Sequence, residues 1–126
     1  DTNLRGNYGV MLYRNAYCED SVRELSYVVK GGLSEDGHEM EVINLVPDAP
    51  RIAEYYFTYG LALARTDNCG EALQIAQLII SRVPADELAV NNANEIINNC
   101  TENLNAPPPT GTEEPVATEV DATPTP

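Results

Sequence analysis

Residues 48–84 read DAPRIAEYYFTYGLALARTDNCGEALQIAQLIISRVP, and the spacing of their apolar side chains decides the fold. Asp48 and Pro50 mark a helix start, one as a capping side chain and the other as a first-turn residue whose missing N–H costs nothing. Beyond them Tyr56, Tyr59, Gly60 and Leu63 fall on one face, while Phe57, Leu61 and Arg65 form a second stripe at i, i+4 and i+8. Both faces of this helix are therefore used. Asp67, Asn68 and Gly70 break it, and in the helix that follows Ala72, Ala76, Ile79 and Val83 recur at intervals of 4, 3 and 4 before Pro84.

The same pattern occurs earlier in the chain. Tyr8-Gly9, Leu12, Arg14 and Cys18 return as Tyr59-Gly60, Leu63, Arg65 and Cys69, each 51 residues on (59 − 8 = 51). Upstream Ser21, Leu25 and Val28 stand where Ala72, Ala76 and Ile79 stand later. A fixed internal interval marks stacked units that cannot bury their apolar faces singly, and such arrays present surface rather than a catalytic cavity. Downstream, Asp86 caps a further helix in which Ala89, Ala93, Ile96 and Cys100 repeat at 4, 3 and 4. The expected fold is all-α: two helical hairpins and a C-terminal helix that covers the last apolar face.

The stretch resembles a tetratricopeptide repeat. The family's aromatic, large-residue–Gly, large, small or apolar, and terminal Pro places are filled by Tyr56, Tyr59-Gly60, Leu63, Ala72, Ala76, Ile79 and Pro84. Ala76 departs from the pattern where a larger aromatic is usual, and Ile79 where a small residue is usual. The match covers about 34 residues, and the first unit is degenerate and followed by an insertion, because 51 exceeds that period. Gly31-Gly32, the acidic turn from Ser34 to Gly37 and the apolar run from Val42 to Val46 make up the excess, read here as a loop and a short helix.

The resemblance implies a peptide-binding groove along the first helix of each unit. It places Val10, Tyr13 and Arg14 beside Phe57, Leu61 and Arg65, with Asn91, Glu95 and Asn98 on the last helix. That set joins apolar anchors and two cations to amides able to bond a peptide backbone. The competing reading packs the stripe inside the domain, Phe57 and Leu61 above all. A clamp for a terminal carboxylate is not expected, since Lys30 is the only lysine. The repeat arrangement also brings Cys69, before the second helix of its unit, to Cys100 at the end of the next antiparallel helix. It thus implies a Cys69–Cys100 disulfide with Cys18 left over. Three reduced thiols, or a Cys18–Cys69 pair, stay open as alternatives.

The chain of 126 residues carries 7 basic and 20 acidic side chains, a formal charge of −13, and no Lys or Arg follows Arg82. Nucleic acid and anionic membranes are excluded as expected partners. Acidity serves solubility, and it also suits a tail that seeks a basic or hydrogen-bond-donating groove. Residues 105–126 hold six of the nine prolines, five threonines and no aromatic residue, so residues 1–104 are read as the helical domain and 105–126 as an extended acidic Pro/Thr-rich tail. Apolar runs are too short for a signal peptide or membrane span, and the start at Asp1 reads as a processed chain. An Asn99-Cys100-Thr101 glycosylation sequon, the mucin-like tail and low Lys content favour an extracellular or cell-surface protein, with the periplasm as the alternative.

Catalytic chemistry finds no foothold. His38 is the only histidine and lacks the second His of a zinc-protease helix, while Glu35, Asp36, Glu39 and Glu41 lack the spacing of a calcium loop. No catalytic residue, metal or cofactor is expected. Asn91, Asn92, Asn94, Asn98 and Asn99 give the last helix an uncharged polar face. In the tail, Val116 and Val120 are the only branched apolar residues after Leu104, set among Glu113, Glu114, Glu119 and Asp121. They complement a groove offering Phe57, Leu61, Arg14 and Arg65. The expectation is a self-assembling structural subunit whose tail docks into the groove of another copy, a head-to-tail contact that propagates into a filament. The alternative is a peptide-binding adaptor domain of a larger envelope or periplasmic protein.

Overall fold

The computed structural model describes residues 2–105, with side chains through Glu102. Val116, Val120 and their acidic neighbours lie outside the described residues. Five helices, α1 (Thr2–Arg14), α2 (Cys18–Lys30), α3 (Pro50–Arg65), α4 (Cys69–Arg82) and α5 (Glu87–Asn105), carry the fold, with two short strands, β1 (Gly32–Leu33) and β2 (Glu39–Met40), between α2 and α3.

The internal repeat is geometric as well as sequential. α1 ends at Arg14 and α3 at Arg65; α2 begins at Cys18 and α4 at Cys69, so both boundaries recur after 51 residues. The turns between them are closed the same way. Tyr17 N–H donates to Leu12 O at 2.9 Å, and Asn68 N–H to Leu63 O at 2.9 Å. The residue before each donor is left-handed, Ala16 at φ 69° and Asp67 at φ 63°. This is a helix C-terminus sealed by a bond that reaches back over one turn, which satisfies a carbonyl the helix leaves orphaned.

Each helix packs on the next, and α3 additionally meets α1 and α5, so the odd-numbered helices lie side by side. α3 is consequently the centre, buried without a break from Tyr55 to Ala64. Its two apolar stripes have a partner on each side. Glycines permit the closest approaches: a Cβ on Gly9 would lie 2.5 Å from Leu25 Cγ on α2, and one on Gly60 2.5 Å from Ile96 Cδ1 on α5. The gap left at Gly9 lets the buried Ser21 hydroxyl donate to its carbonyl at 2.7 Å.

Asp86 caps α5 as expected, accepting from Ala89 N–H at 3.1 Å. Asp48 does not cap α3. It is left-handed, at φ 62°, and Ala49 occupies the cap position with no side-chain bond, while Pro50 opens the helix. The insertion also differs from the loop and short helix expected. Gly32 pairs with Met40 and Leu33 with Glu39 in an antiparallel hairpin, whose turn is closed by Gly37 at φ 85°. No helix forms over residues 42–46. Leu45 is buried between exposed Asn44 and Val46, and hydrogen bonds hold the irregular run in place. Ile43 N–H donates to Val28 O at 2.9 Å and its carbonyl accepts from the Tyr56 hydroxyl at 2.6 Å.

Candidate functional site

Three residues expected in the groove do converge. The Arg65 guanidinium of α3 stands 5.5 Å from the centroid of the Tyr13 ring of α1, a cation–π contact. Burial pushes the Tyr13 hydroxyl pKa upward; Arg65 opposes this, and the charges of Cys18 and of Glu95 on α5 reinforce it. Side chains of α1, α3 and α5 thus share one surface. Asn91 and Asn98 are exposed on α5. Arg14 is already engaged, with Nη2 2.7 Å from Glu54 Oε2. The apolar anchors are placed differently: Val10, Phe57 and Leu61 retain 6, 9 and 9% of their surface and belong to the core. The exposed part of this face is polar and cationic over an apolar floor that is already covered.

Cys69 and Cys100 form a disulfide with Cα atoms 5.5 Å apart, tying the start of α4 to α5. Cys18 is free and half-buried. Asn99, beside the bridge, is half-buried and lines an open depression with Ala64, Arg65, Asp67 and Glu102.

Two polar clusters were not legible in the sequence. Glu24 is buried on α2 and meets Arg5 of α1 at 2.6 Å; Arg5 also stacks over Tyr27 at 4.8 Å and reaches Glu35 of the hairpin turn at 3.6 Å. A buried carboxylate needs such a partner, and this one fastens the insertion to the first hairpin. The second cluster joins the units: Glu71 Oε2 accepts from the Tyr59 hydroxyl at 2.6 Å and lies 2.7 Å from Lys30 Nζ. Burial would raise the Glu71 pKa, but bonds from Lys30 and Tyr59 and the Lys30 charge outweigh it and hold it below its ordinary value. Pairs so distant in sequence leave no local signal.

An arrangement of serine, aspartate and histidine lies in the hairpin turn. Ser34 Oγ donates to Asp36, whose Oδ1 is 3.1 Å from His38 Nδ1; these bonds, Ser34's first, hold Asp36 well below the usual carboxylate range. The serine hydroxyl contacts the carboxylate and not the imidazole, so the three do not form the serine–histidine–aspartate order of a nucleophilic triad. Among the described residues no group of His, Cys, Asp and Glu is placed to hold a metal ion, and no helix is long and apolar enough to cross a membrane.

The two ends of the helical stack differ in chemistry. On the outward side of α1, Leu4, Tyr8 and Met11 are 68, 46 and 49% exposed and line an open depression of roughly 710 Å³ with Arg5, Asn7 and Glu24. On α5 the exposed positions include Asn91, Asn94, Glu95 and Asn98, with one large apolar residue, Leu88. Comparison with protein-family models, curated proteins and solved structures finds no match to this chain.

Proposed function

We propose that this protein is a non-enzymatic structural subunit of tetratricopeptide-like architecture that assembles with copies of itself outside the cell. The observation that carries the reading is the exposed apolar stripe Leu4, Tyr8 and Met11 at one end of a stack whose other end, Leu88 apart, is polar. In an array the terminal faces must be polar to stay single, and α5 meets that requirement where α1 does not. The 51-residue recurrence of helix boundaries and turn bonds supports the repeat architecture. A disulfide in so small a domain suits an oxidising compartment, in line with the Thr/Pro-rich tail and the Asn99 sequon as a glycosylation site. Sedimentation velocity and negative-stain microscopy of the purified chain test it: concentration-dependent polymers are expected, and a monomer at every concentration rejects it.

A peptide-binding adaptor domain is the second reading, favoured by the contact of Arg65 with the Tyr13 ring on the face that α1 and α3 share. Under it the chain stays small, and Arg65→Ala abolishes capture of an acidic peptide without affecting association state.

A further inference from the structure

We infer that the outward face of α1 is the seat for the acidic tail of a neighbouring copy, with Val116 and Val120 against Leu4, Tyr8 and Met11. The inference rests on the self-assembly reading above and gives it a surface.

The repeat itself identifies the face as incomplete. Shifted by 51 residues, Leu4, Tyr8 and Met11 become Tyr55, Tyr59 and Ala62 on α3 (4 + 51, 8 + 51, 11 + 51), which are 0, 1 and 0% exposed. There the preceding helices do the covering. A Cβ on Gly6 of α1 would lie 2.6 Å from the Tyr55 ring, and the Tyr55 hydroxyl donates to Asn7 Oδ1 at 2.9 Å. α1 packs chiefly on α2 and α3, which cover its other sides. The same register position is closed in the second unit and open in the first.

Charge selects the occupant. α1 contains no Asp or Glu, in a chain of net charge −13, and its own arginines are paired, Arg5 with Glu24 and Arg14 with Glu54, so the cation left for an acidic segment is the neighbouring Arg51. At its edge Arg51 Nη1 donates to Asn7 Oδ1 at 3.2 Å, and Arg51 forms no ion pair among the described residues. Residues 106–126 carry Glu113, Glu114, Glu119 and Asp121 and no Lys or Arg. The α5 outer face carries Glu95 and three exposed asparagines beside a single exposed large apolar side chain, Leu88, so it adds like charge and offers the valines less apolar surface than the three-residue stripe of α1. The odd-helix face cannot serve either, because Val10, Phe57 and Leu61 are already covered. Length permits the reach: ten residues separate Asn105 from Val116 (106 to 115), about 30 Å if extended as polyproline II, comparable with the diameter of a domain this size.

The test uses full-length chains. One carries Tyr8→Glu and Met11→Glu, which block the seat at exposed positions; the other carries Val116→Asp and Val120→Asp, which spoil the tail. Both should keep the helical circular dichroism and the Cys69–Cys100 bond. Each alone is expected to weaken assembly by about tenfold or more, and an equimolar mixture to form dimers that do not grow, since one intact seat and one intact tail remain per pair. Seat-blocked chains that polymerise like the unaltered protein overturn the inference while self-assembly stands. An assembly lost on Asn94→Lys but kept in the seat-blocked chain assigns the contact to α5 and also overturns it. An unaltered chain that stays monomeric rejects self-assembly and this seat together.

Discussion

The Tyr59 hydroxyl of α3 and Glu71 of α4 share a 2.6 Å hydrogen bond, on the carboxylate oxygen that Lys30 of the first hairpin also approaches to 2.7 Å. Three helices from two repeat units meet at one carboxylate. Burial, then the bond to Glu71, holds the Tyr59 hydroxyl far above its ordinary pKa, so it remains a donor. Tyr59→Phe should destabilise the domain by about 1.5–3 kcal/mol at neutral pH, the magnitude of a hydrogen bond to a charged group. Glu71 titrates below its ordinary 4.5 in the fold, so its stabilisation is complete above that value and is lost as pH falls through the depressed folded pKa. Urea titrations of both proteins at neutral pH and at about pH 3 should show the difference shrinking in acid; equal differences at both would deny the carboxylate its part.

Gly9 and Gly70 are both helical, and alanine should affect them with opposite sign. Alanine gains about 1 kcal/mol of helix propensity in a helix interior. At Gly9 its Cβ would sit 2.5 Å from Leu25 Cγ and 2.8 Å from Cδ2, in a fully buried contact, while at Gly70 nothing lies within 4 Å. Overpacking costs about 1–3 kcal/mol and outweighs the propensity gain at the first site only. Thermal unfolding should show Gly9→Ala melting lower than the parent and Gly70→Ala at or above it.

The two equivalent turns hold non-glycine residues in left-handed backbone, Ala16 at φ 69° and Asp67 at φ 63°. Such a conformation costs an L-residue about 1–2 kcal/mol, against roughly 0.5–1 kcal/mol of extra chain entropy lost by glycine. Ala16→Gly should therefore stabilise by about 0.5–1 kcal/mol, and Asp67→Gly by less, since aspartate tolerates this region better. A loss of stability in Ala16→Gly, measured by chemical denaturation, would contradict the turn geometry.

The Cys69–Cys100 bond closes a segment with a sequence separation of 31. Chain-entropy estimates for a loop of that length give about 3–4 kcal/mol. The Cys69→Ala, Cys100→Ala double variant should lose stability of that order, and Cys18→Ala far less. Thiol titration should find one free group in the native protein and three after reduction.

How much of this was legible in the chain depends on distance along it. The five helices and the Asp86 cap follow from short-range periodicity and from one interval of 51, because helix formation and turn closure are decided by neighbours a few residues away. The Cys69–Cys100 pairing was implied only by the repeat resemblance, beside two alternatives, and the tertiary structure chose it. The hairpin at residues 32–40 and the irregular run through Leu45 were read otherwise: short apolar segments carry no period long enough to separate strand from helix, and packing on Val28 and Tyr56 settled the matter. The Arg5–Glu24 contact, 19 residues apart, exists only once α1 and α2 are side by side. Only tertiary structure decided that Phe57 and Leu61 are core, and that Tyr8 is 46% exposed while its repeat counterpart Tyr59 is 1% exposed. The sequence by itself determines which residues share a face; whether that face meets protein or water is set by the helices stacked against it, and α1 lacks the preceding helices that cover α3.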